Sequence, residues 1–416
     1  MSVPLRLTIA ERELGSGLTL LAVHNPRVPT YACAVSLDVR SGDEPEAHSG
    51  LMNLVGECLD EGTARHDSLE LAAAAEGLGA MLEGNARGGV VMCPATSHKE
   101  ATELLREMVV EAEFPGREVR RVQSEILTEI KAEEDDPRSV AARRFRKEVY
   151  GDHPLGRPGN GTAKSVAKMR PRDLRAFHDE WFRPAGGYVA ASGPEDPEKT
   201  LDRLEKAFRR FKGKAKAHPT PPDVELPASG RDAHLPMARE QVHVFLGHVG
   251  VRRTHPDYHV LSVMDHVLGT GPGFTSRCAR KLRDEQGLCY SVSAGITGSA
   301  GEEPGMFTAY IGTSPEHRQR AIDGFLDEIR RIRAEAPTAQ ELQDVKSYLT
   351  GSFVFGFERN SNLAAFAIRA RRFGLGFDYL QRYPEIVRAI TAEQVREAAE
   401  RHLHPDRLVV VSAGAS

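Results

Sequence analysis

The sequence predicts a two-lobed α+β protein in which each lobe is a mainly antiparallel sheet packed with helices. Three observations carry this. A chain of 416 residues exceeds one ordinary core and calls for two or more domains. One stretch, KGKAKAHPTPPDVELPASGRD, is rich in Lys, Pro and Gly, carries no apolar period and reads as a linker. Finally, the two halves on either side of it repeat each other. The domains expected are therefore residues 1–211 and 233–416, joined by 212–232.

The repeat is legible residue by residue. Pro184 matches Pro405 and Gly193 matches Gly414, both 221 positions apart, each pair framing a helix followed by a short apolar strand. Upstream, EVRRVQSEI (Glu118 to Ile126) matches ELQDVKSYL (Glu341 to Leu349) at an offset of 223. Two gap-free matches at nearly one offset argue for duplication.

In order along the first half, the first thirty residues alternate like two short strands around Gly15-Ser16-Gly17. TYACAVSLDV then reads as a strand and HSGLMNLVGECLDEG as a helix ended by Gly62. In that helix Leu51, Leu54, Val55, Cys58 and Leu59 recur with the period of one buried face. Asn53, Gly56, Glu57 and Asp60 form the opposite, polar face. GAMLEGNARGGVVMCPA reads as a strand pair, and amphipathic helices are expected at about Lys99–Ala112 and Arg117–Glu133. In the second half EQVHVFLGHVGV is a strand, PDYHVLSVMDHVLG a helix, and CYSVSAGITGSAGEEPGMFTAYIGT a hairpin. Strands and helices mix without regular parallel alternation, hence α+β.

Composition narrows the function. Lys and Arg number 55 against 59 Asp and Glu, a net charge of -4, with no basic stripe for nucleic acid. No apolar run reaches the roughly 20 residues that cross a bilayer, and none at the start has signal-peptide length, so no membrane association or export is expected. Five scattered cysteines without Cys-x-x-Cys spacing read as reduced core thiols in a cytoplasmic protein. Gly269, Gly271 and Gly273 form a Gly-rich turn, but it follows a helix and lacks the Gly-Lys-Ser/Thr ending of a phosphate loop. Glycines that let backbone approach a substrate chain or a mobile segment are the better account.

These strings resemble the M16 zinc metallopeptidases, the inverzincins, over nearly the whole chain, and match the short two-lobed members in size. Active members carry His-x-x-Glu-His-x-x-x-x-Gly-Thr. Gly62-Thr63 sets the register, which puts Asn53 and Glu57 at the two His positions and Gly56 at the catalytic Glu. EIKAEEDDP supplies the third ligand position as Glu129. Two His one turn apart plus a carboxylate hold Zn²⁺ with an open site for water, and a Glu in that turn takes the water's proton. Asn53 is a poor ligand, Glu57 with Glu129 would be a weak oxygen-only site, and Gly56 has no side chain to act as base. The resemblance thus implies a degenerate zinc motif, with no metal and no cofactor in this chain.

GTGPGFTSRCARKLRDEQGLCYSV resembles the family's C-terminal signature, in which Arg283 and Tyr290 match an Arg/Tyr pair that contacts substrate and steadies the tetrahedral intermediate. The strand pair near Leu82 to Met92 matches the family's peptide-docking edge, with Gly88-Gly89 in place of β-favouring residues. Since some bacterial members split the zinc motif and the Arg/Tyr pair between two subunits, the resemblance implies a catalytically incomplete subunit. It would pair with a zinc-bearing homologue, or with a second copy in isolation, and act on peptides. A non-enzymatic scaffold in a larger complex is the other reading. Relocated ligands such as His48 or His66 would make a third, but His48 precedes the helix and His66 follows it, so neither lies on its metal face.

Overall fold

A computed structural model describes residues 7–271 and 275–415. Gly273 of the Gly-rich turn lies outside the described residues. The chain forms two compact units, one of residues up to Lys131, Pro158–Pro221 and Val354–Leu380, the other of Ala132–Arg157, Pro222–Phe353 and the remainder from Gln381. Neither unit is a continuous stretch. The change-over at Pro221 falls inside the expected linker, while residues 132–157 and 354–380 each belong to the unit built mainly from the opposite half. The linker region also ends sooner than its composition suggests, because Arg231 and Asp232 already lie in a strand.

The first unit holds β1 (Thr8–Glu13), β2 (Thr19–His24), β3 (Thr30–Ser36), β4 (Met81–Asn85), β5 (Gly88–Pro94) and β6 (Tyr188–Gly193), ordered β1-β2-β6-β3-β5-β4. Only β2 and β6 run parallel; Cys33 sits opposite Ala191 on one side and Val91 on the other. The second unit holds β7 (Arg231–Pro236), β8 (Val242–Val249), β9 (Val292–Gly295), β10 (Met306–Thr313) and β11 (Val409–Gly414), ordered β7-β11-β8-β10-β9. Here β7 and β11 are the parallel pair. The order β2-β6-β3-β5-β4 is therefore reproduced strand for strand as β7-β11-β8-β10-β9, and Gly193 and Gly414 end equivalent strands. The α+β class and the internal duplication are both present in the fold.

Central strands read as continuous apolar runs because helices cover both faces. Leu20, Leu21 and Ala22 in β2, and Ala190 and Ala191 in β6, are wholly buried. One covering helix of each sheet comes from the opposite half of the sequence. Pro137–Tyr150 packs on β8 and β11, and Asn360–Arg372 packs on β6, β3 and β2. Pro137 and Asn360 are 223 residues apart, the offset already seen between Glu118 and Glu341, so the exchange is part of the repeat. Asn360 ties its helix down: it accepts from Asn25 Nδ2 (2.8 Å) and Ser192 Oγ (2.9 Å) and donates to Thr30 O (2.7 Å).

Candidate functional site

The helix bearing the motif positions spans Leu51–Glu57, shorter than expected. Cys58 leaves helical geometry (φ -107, ψ 3), and Gly62, at φ +144, lies in an extended bridge to Asp67 instead of ending the helix. The apolar period runs on past the helix because Cys58 and Leu59 turn into the core, both fully buried. At the other end Gly50 adopts φ +93, and a Cβ there would stand 2.7 Å from Gly161 backbone. The buried Glu44 carboxylate accepts from Gly50 N (3.2 Å) and Met52 N (3.1 Å), serving the helix's free N–H groups.

Gly56, at the position expected of the base, has a packing role of its own. It is buried, and a Cβ on it would lie 2.5 Å from Asn85 C and Ala86 N, in the turn between β4 and β5. A Cβ on Gly84 would in turn lie 2.5 Å from Gly56 O. Helix backbone rests on hairpin backbone through two glycines, and no side chain fits where a catalytic carboxylate would stand. Asn53 is half-buried, Glu57 exposed, and Glu129 exposed on the helix Gly116–Asp135. Burial, reinforced by Glu61 and Glu57, pushes the Asp60 carboxyl up. Asp136 Oδ2 accepts from Ser139 N (2.9 Å) and Oγ (2.6 Å), so Asp-Asp-Pro here starts a helix, with Pro137 in its first turn. An amide, one exposed glutamate on each of two helices and no base do not make a donor set fitted to catalytic zinc.

Gly88 and Gly89 also have packing reasons. A Cβ on Gly88 (φ +140) would meet Val35 O at 2.6 Å, and one on Gly89 would meet Glu83 O at 2.7 Å. β4 is left as the sheet's edge strand. Sequence reasoning missed Gly84, Asn85 and Ala86 as partners of Gly56. The run of glycines in LEGNARGG was the available signal.

In the second unit the structure brings Arg283 and Tyr290 together. Arg283 lies on the π-helical turn Ala279–Glu285, and its Cζ stands 5.7 Å from the Tyr290 ring centre. The intervening loop reverses at Gly287 (φ +63), where Leu288 N bonds to Leu282 O (2.9 Å) and the Leu288 side chain is buried. Tyr290 remains 83% exposed. The Ser-Arg of the same string is structural: Arg277, buried, makes two 3.0 Å bonds to Glu341, whose carboxyl is held down at about 2 despite its burial. The Gly-rich turn is corrected as well. A Cβ on Gly269 would lie 2.2 Å from Ala294 N, so this glycine serves close approach to the chain's own strand β9.

Among the described residues, one His/Cys/Asp/Glu group has three donor atoms within 4.8 Å of one another: His255, Asp257 and His402. One ligand atom of each residue is already engaged in a hydrogen bond. Asp257 N donates to His255 Nδ1 (3.1 Å), while His402 Nε2 (2.8 Å) and Arg401 Nη2 (3.2 Å) converge on Asp257 Oδ2, where the guanidinium occupies a cation's place. No described helix is long and apolar enough to cross a membrane. All five cysteines are free thiols.

Comparison with known proteins agrees with this architecture. Family profiles match residues 19–163 as Insulinase (Peptidase family M16) and residues 168–349 as Peptidase M16 inactive domain. The chain is 27% identical over 361 residues to an uncharacterized zinc protease of Streptomyces coelicolor, covering 84% of this chain and 78% of that protein. It is 24% identical over 352 residues to the uncharacterized zinc protease YmxG of Bacillus subtilis, covering 83% and 84%. A solved peptidase M16 inactive domain from Pseudomonas fluorescens matches with a TM-score of 0.89 at 25% identity, over 99% of this chain and 98% of that one. A Helicobacter pylori protease shares the fold at a TM-score of 0.89 and 17% identity, over 98% of this chain and 100% of that one. With its two halves matched in order by profiles of one family, and a solved structure of that family matching along its length, this chain belongs to the M16 peptidases.

Proposed function

We propose that this chain is a catalytically incomplete M16 subunit, working in the cytoplasm beside a zinc-bearing homologue to which it contributes Arg283 and Tyr290. The contact of Gly56 with the Asn85-Ala86 backbone carries the reading, since it leaves no room for a base to activate water. Zinc and base then belong to the partner. The match to the peptidase M16 inactive domain from Pseudomonas fluorescens supports a non-catalytic homologue. In the second unit an exposed phenol beside a guanidinium offers O–H and N–H donors suited to an extended peptide backbone. The same donors strengthen their bonds as a carbonyl oxygen gains charge during attack.

Peptide cleavage and bound zinc are to be measured for the chain alone, for an M16 homologue carrying His-x-x-Glu-His, and for the two together. Cleavage is expected only when the homologue is present, with a loss of about 10²-fold on Arg283→Ala or Tyr290→Phe. Stoichiometric zinc and full activity in the isolated chain would overturn the proposal. Co-purification with an assembly whose activity ignores both substitutions would replace it with the scaffold reading.

A further inference from the structure

The stretch that composition marks as a linker is docked along its first part. His218 lies in a segment with neither helix nor strand, yet its side chain is only 17% exposed. Its Nδ1 stands 2.7 Å from Asp43 Oδ1 and its Nε2 stands 3.1 Å from Asp38 Oδ2. A carboxylate only accepts, so both bonds form together only when both ring nitrogens carry protons. The ring also stacks on Trp181, with centroids 5.3 Å apart and planes 20° from parallel. Two residues earlier, Lys216 pairs with Glu180 and places its Nζ 4.6 Å from the Trp181 ring centre.

We propose that residues 212–218 form a strap held on the first unit by doubly protonated His218 and released when the imidazole loses a proton. The charged groups around the latch are Asp38, Asp43, Arg40 and, across Trp181, Glu180 and Lys216. Arg40 bonds Asp38 through Nε (3.0 Å) and Nη2 (3.2 Å), and its backbone N donates to Asp43 Oδ2 (2.7 Å). Glu44, next along, is taken up by Gly50 N and Met52 N. Both aspartates are thus fixed before the strap arrives. Loss of one proton turns one of the two imidazole bonds into facing lone pairs and removes the positive charge between two carboxylates. Release then frees residues 212–218, leaving the stretch ahead of β7 held further along by Val224, packed on the second unit's core, and by Gly230 N on Asp406 O (3.0 Å). On the acid side the latch persists: burial works against it, but Arg40 and His218 together hold the Asp38 carboxyl below the usual range. The strap is therefore lost only as pH falls through that lowered value.

Trp181 is the chain's one tryptophan, so intrinsic fluorescence reads the latch directly. The full chain is to be titrated between about pH 5 and pH 8.5, following Trp181 emission and tryptic cleavage after Lys212, Lys214 and Lys216. Emission is expected to rise with pH as the quenching imidazolium leaves the ring. Cleavage, corrected for trypsin's own pH dependence, is expected to rise roughly tenfold, the opening shift from losing one charge-assisted hydrogen bond. His218→Gln should show the high-pH emission and cleavage throughout, and Asp43→Asn should weaken the low-pH state; circular dichroism verifies that both variants fold. An unchanged wild-type profile, or the same pH response in His218→Gln, would overturn the strap.

Discussion

The two halves repeat one sheet, and both press a glycine of the helix after the second strand of the repeat, β3 or β8, onto the sheet-edge hairpin. Gly56 meets the turn between β4 and β5; Gly269 meets β9, the strand equivalent to β4. The halves differ in what surrounds this contact. In the first, the motif positions carry an amide and exposed carboxylates with no base. In the second, a π-helical turn and a reversal at Gly287 hold Arg283 beside an exposed Tyr290. The comparison teaches that both halves use the same close backbone packing at this point, so what stands at Gly56 is constrained by shape as well as by residue type.

The sharpest way to break this comparison is to rebuild the motif. Asn53→His with Gly56→Glu and Glu57→His is expected to bind no stoichiometric zinc. Its Gly56→Glu component should cost about 3 kcal/mol or more in denaturant unfolding, because a buried carboxylate is forced onto backbone. A stable, zinc-loaded triple variant would show that only the residues had been lost.

Glu118 and Glu341 occupy the same repeat position with different burdens. Glu341→Gln strands the buried Arg277 guanidinium and should cost about 3 kcal/mol. Glu118→Gln removes a 3.2 Å ion pair to a half-exposed Arg121 and should shift stability by less than about 0.5 kcal/mol. Equal effects of the two substitutions on unfolding would deny that the halves diverged here.

Asp265 gives the second unit a pH signature. It accepts from Ile296 N (2.8 Å) and from Thr297 N (2.9 Å), but full burial pushes its carboxyl up to about 6. A carboxyl raised on folding binds more protons in the folded state than in the unfolded one. Stability therefore falls as pH rises from about 4 to about 6, by roughly 2 kcal/mol. Asp265→Asn should flatten that slope in urea unfolding, whereas a slope left unchanged would place its origin elsewhere. The smallest effect is expected at Tyr290, where Tyr290→Phe on an exposed ring should move the melting midpoint negligibly, within about 0.5 kcal/mol. A large loss of stability would make Tyr290 a packing residue and remove the contrast with Gly56.

Much of this was legible locally. Alternation around Gly15-Ser16-Gly17 specified β1 and β2, and apolar periods located the helices near Lys99 and Arg117 within a few residues. Gly62-Thr63 placed Asn53, Gly56 and Glu57, although the helix stops short of that pair. These features depend on neighbours within one or two turns or along one strand, which composition and spacing encode. Tertiary structure decided the rest. The exchange of Pro137–Tyr150 and Asn360–Arg372 between sheets, the hairpin resting on Gly56 and the docking of His218 join residues about 30 to more than 300 positions apart. Such contacts are set by which surfaces the folded sheets leave to be covered, and no local period records them. The sequence by itself put Asn53, Gly56 and Glu57 in one register; only the packed backbone put the Asn85-Ala86 turn against Gly56.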